Sequence, residues 1–153
     1  MAGVLFSANS AEQSLTAATA KTCLQVLAAT NHRVKIRGVA IYGKGAVVTD
    51  QPVKFRILRQ TSACTMTTGT SGTHYSKNND DDSETIQTSV YITATAEPTA
   101  GDVLDFGEVH PQNGMRWFYP AGQELIIKTA GRVGVELTAP QAQTMVVVLD
   151  LEE

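Results

Sequence analysis

The sequence is short of charge, of tryptophan, of cysteine and of long apolar runs, and each shortage removes a class of function. Its 12 Lys and Arg against 15 Asp and Glu leave a net charge of −3, so the basic surplus needed for non-specific nucleic-acid binding is missing. Two cysteines, Cys23 and Cys64, do not make a disulfide scaffold in 153 residues. A disulfide is possible on count, but both sit in strand-like contexts. They read better as buried free thiols in a protein made in a reducing compartment. The longest clean apolar run, Met145–Leu149, falls far short of the roughly 20 residues of a membrane span. The opening Met-Ala-Gly-Val-Leu-Phe-Ser has neither a basic n-region nor a long apolar h-region, so no classical signal peptide is expected. A soluble chain is expected.

Catalytic patterns are missing too. His32, His74 and His110 fall in separate turns, with no His-x-x-x-His or Cys-x-x-Cys spacing that would encode zinc locally. Gly43-Lys44-Gly45 is too short for a phosphate loop and opens no helix. Asp80-Asp81-Asp82 within the acidic stretch 78–84 lacks the alternating spacing and distal Glu of a calcium loop. Glu97, Asp102, Asp105 and Glu108 could pair as carboxylates for glycoside chemistry, but no row of sugar-stacking aromatics flanks them. A Cys–His or Ser–His pair assembled by folding stays open. The expectation is a protein that is not an enzyme, with no metal and no cofactor.

What remains is strand and turn. Thr, Ala and Val crowd the chain while helical Leu-Glu-Lys tracts are missing. Thr22–Ala28 reads as a strand. Arg33–Tyr42 alternates, with Val34 and Ile36 on one face, then shifts phase after Gly38 to Val39 and Ile41, which predicts a β-bulge. Val53, Phe55 and Ile57 share one face, as do Ile86, Thr88, Val90 and Ile92. Asp102–His110 is a mixed strand ending near the turn signal Asn113-Gly114. Thr144–Leu151 is near-continuously apolar, as in a mid-sheet strand buried on both faces. About eight strands in one domain predict an all-β antiparallel sandwich or jelly roll over 21–153. Residues 61–83 form a polar loop insertion. Residues 1–20 could place a short helix over Ala11–Ala20 but read better as an extended arm.

Three groups of residues are candidates for protein contact. Leu5 and Phe6 could pin the arm onto a neighbouring subunit, or the arm could be a frayed terminus. Arg33, Lys35, Arg37, Lys54 and Arg56, five of the twelve basic residues, would make a basic patch if their strands are neighbours. That patch is either a solvated face or a contact for an acidic partner. Finally, Trp117-Phe118-Tyr119 holds three of the nine Phe, Tyr and Trp residues. It precedes a Pro120–Gly122 turn and what reads as a hairpin from Leu125 to Leu137. Alternation puts Phe118 in the core if Trp117 and Tyr119 point together. Core packing, a protein interface and a glycan contact all suit the trio.

Several segments resemble a known group. Thr93–Asp102, Glu108-Val109-His110-Pro111, Pro120–Leu125 and Gly131–Val135, in that order, together with Asn31–Lys35 and the closing Leu151-Glu152-Glu153, are similar over 17–153 to small all-β virion proteins of tailed bacteriophages. Thr61–Asp82 matches least. The resemblance implies a jelly roll that acts as a capsid decoration (cement) protein. Such a protein, commonly a homotrimer, bridges major capsid subunits on the outer surface of the head. It would be made in the host bacterial cytoplasm and would end in the virion, with no direct contact to nucleic acid or membrane. A head-fibre or tail-associated carbohydrate- or receptor-binding module is the alternative implied role.

Overall fold

A computed structural model describes residues 3–45, 50–62, 66–68, 74–76 and 85–153. Thirteen strand segments and no helix occur among them: β1 (Leu5–Asn9), β2 (Gln13–Leu15), β3 (Ala20–Leu27), β4 (Val34–Lys44), β5 (Val53–Gln60), β6 (Met66–Thr68), β7 (His74–Ser76), β8 (Ser89–Ala94), β9 (Ala100–Val109), β10 (Met115–Phe118), β11 (Leu125–Ile127), β12 (Arg132–Thr138) and β13 (Gln143–Glu152). They form two antiparallel sheets. The first runs β10-β4-β13-β1-β7, with β11 also on β4 and β2 also on β13; the second runs β6-β8-β3-β12-β5-β9. The count exceeds the expected eight because several segments have only three residues, too short to show a period.

The sandwich follows from alternation. Val53, Phe55 and Ile57 all turn into the core while Lys54 and Arg56 face out. Val133, Val135 and Leu137 do the same from β12, and Val34, Ile36, Val39, Ile41, Met145, Val147, Leu149 and Leu151 supply the opposing layer. The phase shift in β4 is a bulge as expected. Gly38 pairs with Asp150 and Ile36 with Leu151, so Arg37 is the unmatched extra residue. Thr88 and Val90 are buried, with Ile86 and Ile92 packed partly against the core. Strand β13 lies in mid-sheet between β4 and β1. Its outward residues Val146 and Val148 are half-buried rather than fully covered.

Four expectations need correction. The expected arm over 1–20 is, in its described part from Gly3 on, not free, because β1 pairs with β13 and β7, and β2 pairs with the start of β13. Phe6 is completely buried in the core, so it cannot be an exposed contact; Leu5, its neighbour on the opposite face, is half-buried. The insertion 61–83 is not all loop, since 66–68 pair with β8 and 74–76 with β1. Nor do β11 and β12 form a hairpin. Strand β11 belongs to the first sheet and β12 to the middle of the second, so the chain crosses between layers at the turn closed by Gly131 N–H donating to Lys128 O at 2.8 Å. Cys64 and the acidic stretch 78–84 lie outside the described residues.

Two outcomes follow. Phe6→Ala should cost about 3–5 kcal/mol in urea unfolding; a loss below about 1 kcal/mol would mean the segment is peripheral. Cys23 is buried, and that burial pushes its thiol up to about 12. Peptide mapping after alkylation at pH 8 should find Cys23 unmodified in the native protein and modified only after unfolding.

Candidate functional site

One side of the sandwich concentrates what a partner could grip. Strand β9 ends the second sheet there, and β10 with β11 ends the first. The latter two are not side by side. Met115–Phe118 pair with Ile41–Gly38 and Leu125–Ile127 with Ile36–Val34, so they are one interrupted edge strand laid along β4. The interruption is a turn at Pro120–Gln123, where Gln123 N–H donates to Pro120 O at 2.9 Å. Gly122 takes φ +86°, the left-handed conformation that the third position of such a turn requires. The Glu124 carboxylate accepts from Gly122 N–H at 2.7 Å. Backbone donors at Glu124 and Gly122, with Lys35 and Arg37 nearby, hold that carboxyl below its ordinary range.

The chain reaches β10 from β9 through a tight turn, with Gly114 at φ +64° donating to His110 O at 2.9 Å. The two layers are then tied together at their edges. Tyr119 donates its backbone N–H to Arg37 O at 2.8 Å and its hydroxyl to Asp105 Oδ2 on β9 at 2.5 Å. Burial, followed by the Asp105 carboxylate, raises the Tyr119 pKa far above that of a free tyrosine, since ionisation would place two anions together.

Six large apolar side chains are exposed among the described residues: Tyr42, Val103, Phe106, Trp117, Phe118 and Ile126. All of them lie on β4, β9, β10 or β11. Phe106 is 76% exposed, and Trp117 and Phe118 are each 57% exposed. The expectation that Phe118 is core is therefore overturned. Phe118 lies on the outer face over Gly38, where a Cβ would come within 2.8 Å of the ring. The Arg116 guanidinium stands 5.1 Å from its centroid. Trp117 pairs with the buried Val39, but an edge strand gives it neighbours on one side only. Tyr119 is the member of the trio that packs on the core. Phe106 was missed by sequence reading because Asp105 and Glu108 around it hide the alternation.

The five basic residues do not form one patch. Arg33, just before β4, with Lys35 and Arg37 belongs to the first sheet, while Lys54 and Arg56 sit on β5 in the second, so their outer faces point to opposite sides. Acids from distant strands offset them. Glu152 meets Lys35 at 3.4 Å and Arg37 at 3.1 Å. Glu136 meets Arg56 at 2.6 Å, and Lys54 is registered against Glu108. The four carboxylates considered for glycoside chemistry also part company. Glu97 accepts the Thr22 N–H, Asp105 binds Tyr119, and Glu108 and Asp102 are exposed on β9. Among the described residues no three His, Cys, Asp or Glu gather as metal ligands would, and no helix is long and apolar enough to cross a membrane. Compared with family models, curated proteins and solved structures, the chain shows no match.

The Tyr119–Asp105 tie should show in alkali. Its folded pKa is raised, so above about pH 10, where an unfolded tyrosine ionises, the unfolded state releases a proton that the folded state keeps. Stability therefore falls as pH rises. Urea midpoints measured from pH 8 to pH 11 should fall more steeply for the native sequence than for Tyr119→Phe, which should itself lose about 1 kcal/mol at pH 8. Parallel curves would show that the bond does not form.

Proposed function

We propose that this chain is a structural protein of a tailed-phage virion, a jelly-roll decoration protein that docks on the outer head and bridges major capsid subunits. The observation that carries this is the placement of Trp117, Phe118 and Ile126 along the β10–β11 edge of the first sheet, with Tyr42 exposed on the adjoining β4. Large aromatics at an edge are the residue types that anchor protein interfaces, and an edge strand offers backbone groups for a neighbour to pair with. The resemblance of 17–153 to small virion proteins supplies the partner: the shell and further copies of the chain, as a homotrimer. A trimer repeats each modest contact three times, which multiplies its hold on the shell. A protein that binds only the expanded shell stabilises that state by mass action. On this reading the role is mechanical and requires no reacting group.

The test uses heads prepared without this protein. Adding the purified chain should decorate them and raise the temperature at which they release DNA. Trp117→Ala with Phe118→Ala should remain folded, since both side chains are more than half exposed, yet bind at least about tenfold more weakly. Heads that neither bind the native chain nor gain resistance would overturn the proposal. Glycan binding abolished by Trp117→Ala, without shell binding, would instead favour a head-fibre or tail module.

A further inference from the structure

The outer face of the second sheet carries a groove that the docking edge does not use. Its volume is about 760 Å³ and its walls include Lys54, Arg56, Phe106, Glu108, Glu136 and Thr138, a size within the usual range of small-ligand sites. Two register shifts lie close to it, between Val135 and Glu136 against β3 and between Ile57 and Leu58 against β9. Bulges bend and twist the strands that carry them, and here they accompany a hollow rather than a flat face. Ala20 and Gly107 also line it. A Cβ at Gly107 would come within 2.8 Å of the Phe55 ring, so the glycine lets that ring rise against β9.

The chemistry of the walls selects a ligand class. Phe106 offers an aromatic face with three quarters of its surface exposed, and Val103 extends that apolar wall. Opposite it the charges cancel. Arg56 donates through Nε and Nη2 to Glu136 Oε1 at 2.9 and 2.6 Å, and Lys54 faces Glu108 across the β5–β9 pair. A phosphate, a nucleic acid or an acidic chain finds no net positive field to favour it. The same residues are rich in donors and acceptors at fixed positions. Because Arg56 spends both bonds on Oε1, the ion pair leaves Glu136 Oε2 and Arg56 Nη1 outside it. Glu136 is only 9% exposed, so its geometry is held by the sheet and not by solvent.

An aromatic platform beside a charge-balanced set of fixed hydrogen-bonding groups, in a concave sheet face, suits a ligand with one apolar face and many hydroxyls. We infer that this groove binds a neutral saccharide, with a pyranose ring stacked on Phe106 and its hydroxyls bonded to Arg56, Glu136, Lys54 and Glu108. The site is independent of whether the protein sits on a head, a fibre or a tail, and it does not involve Trp117.

The experiment is saturation-transfer NMR and calorimetry on the full chain. The probes are trisaccharides of glucose, galactose, mannose and N-acetylglucosamine, with a sialylated and a sulfated trisaccharide for comparison. At least one neutral probe should bind, with affinity unchanged between low and high salt. Phe106→Ala should weaken it roughly tenfold, Phe106→Tyr should retain it, and Trp117→Ala should leave it unaltered. Phe106 is exposed, so its variants should melt like the native protein; Glu136→Gln, read by the same titration, provides a second check from the opposite wall. Binding of none of the neutral probes would overturn the inference. So would equal binding by Phe106→Ala, or binding confined to anionic probes and lost in salt. Because shell binding by Phe106→Ala is a separate readout, failure here is distinguishable from failure of the decoration role.

Discussion

The pairing of β4 with β13, and the single bulge within it, is the constraint on which the rest of the molecule depends. Without the unmatched Arg37, strict alternation would turn Val39 and Ile41 outward as soon as Val34 and Ile36 turned in. The extra residue restores the phase, so four aliphatic side chains of one strand all reach the core. It also places Gly38 on the outer face as the seat for Phe118 and frees Arg37 O to accept the Tyr119 N–H. The edge that carries the aromatics is thus positioned by the same irregularity that completes the core.

Edges are where a sandwich is vulnerable and where it can make contacts. On this side the first sheet ends in a broken strand, β10 and β11, whose gap is filled by the Pro120–Gln123 turn. The second ends in β9, with Asp102, Asp105 and Glu108 along it. Acidic side chains oppose pairing of one β9 with another, while the aromatics on the neighbouring edge invite a dissimilar surface. Buried carboxylates elsewhere are matched by arginine, Glu136 by Arg56 and Asp150 by Arg116. Both pairs fix side chains on the sheet faces, and the Arg56–Glu136 pair also lines the groove beside Phe106.

Much of the fold was legible because a period of two reports which face of a strand is buried. Val53, Phe55 and Ile57 and the shift at Gly38 followed from it, while the central place of β13 followed from its near-continuous apolar run. What the period does not carry is which sheet a strand joins. Arg33, Lys35 and Arg37 therefore looked continuous with Lys54 and Arg56, although the two groups lie on opposite faces. For the same reason β11 and β12 looked like a hairpin when the chain in fact changes layers between them. Phe6 was misplaced because the adjacent bulky pair Leu5-Phe6, followed by Ser7, Ala8 and Asn9, shows no alternation of large side chains. Trp117 was recognised as a contact candidate, but Phe118 and Tyr119 exchanged places, Phe118 being exposed and Tyr119 packed on the core, because exposure depends on β10 being an edge strand, a property of topology that local pattern does not hold.

The most direct measurement is a cryo-electron reconstruction of a virion carrying this protein. The account predicts the chain on the outer head surface, with Trp117 and Phe118 covered by a neighbouring subunit and the Phe106 groove open to solvent. A reconstruction that placed it elsewhere in the particle, or that showed the β10–β11 edge facing water in every copy, would contradict it.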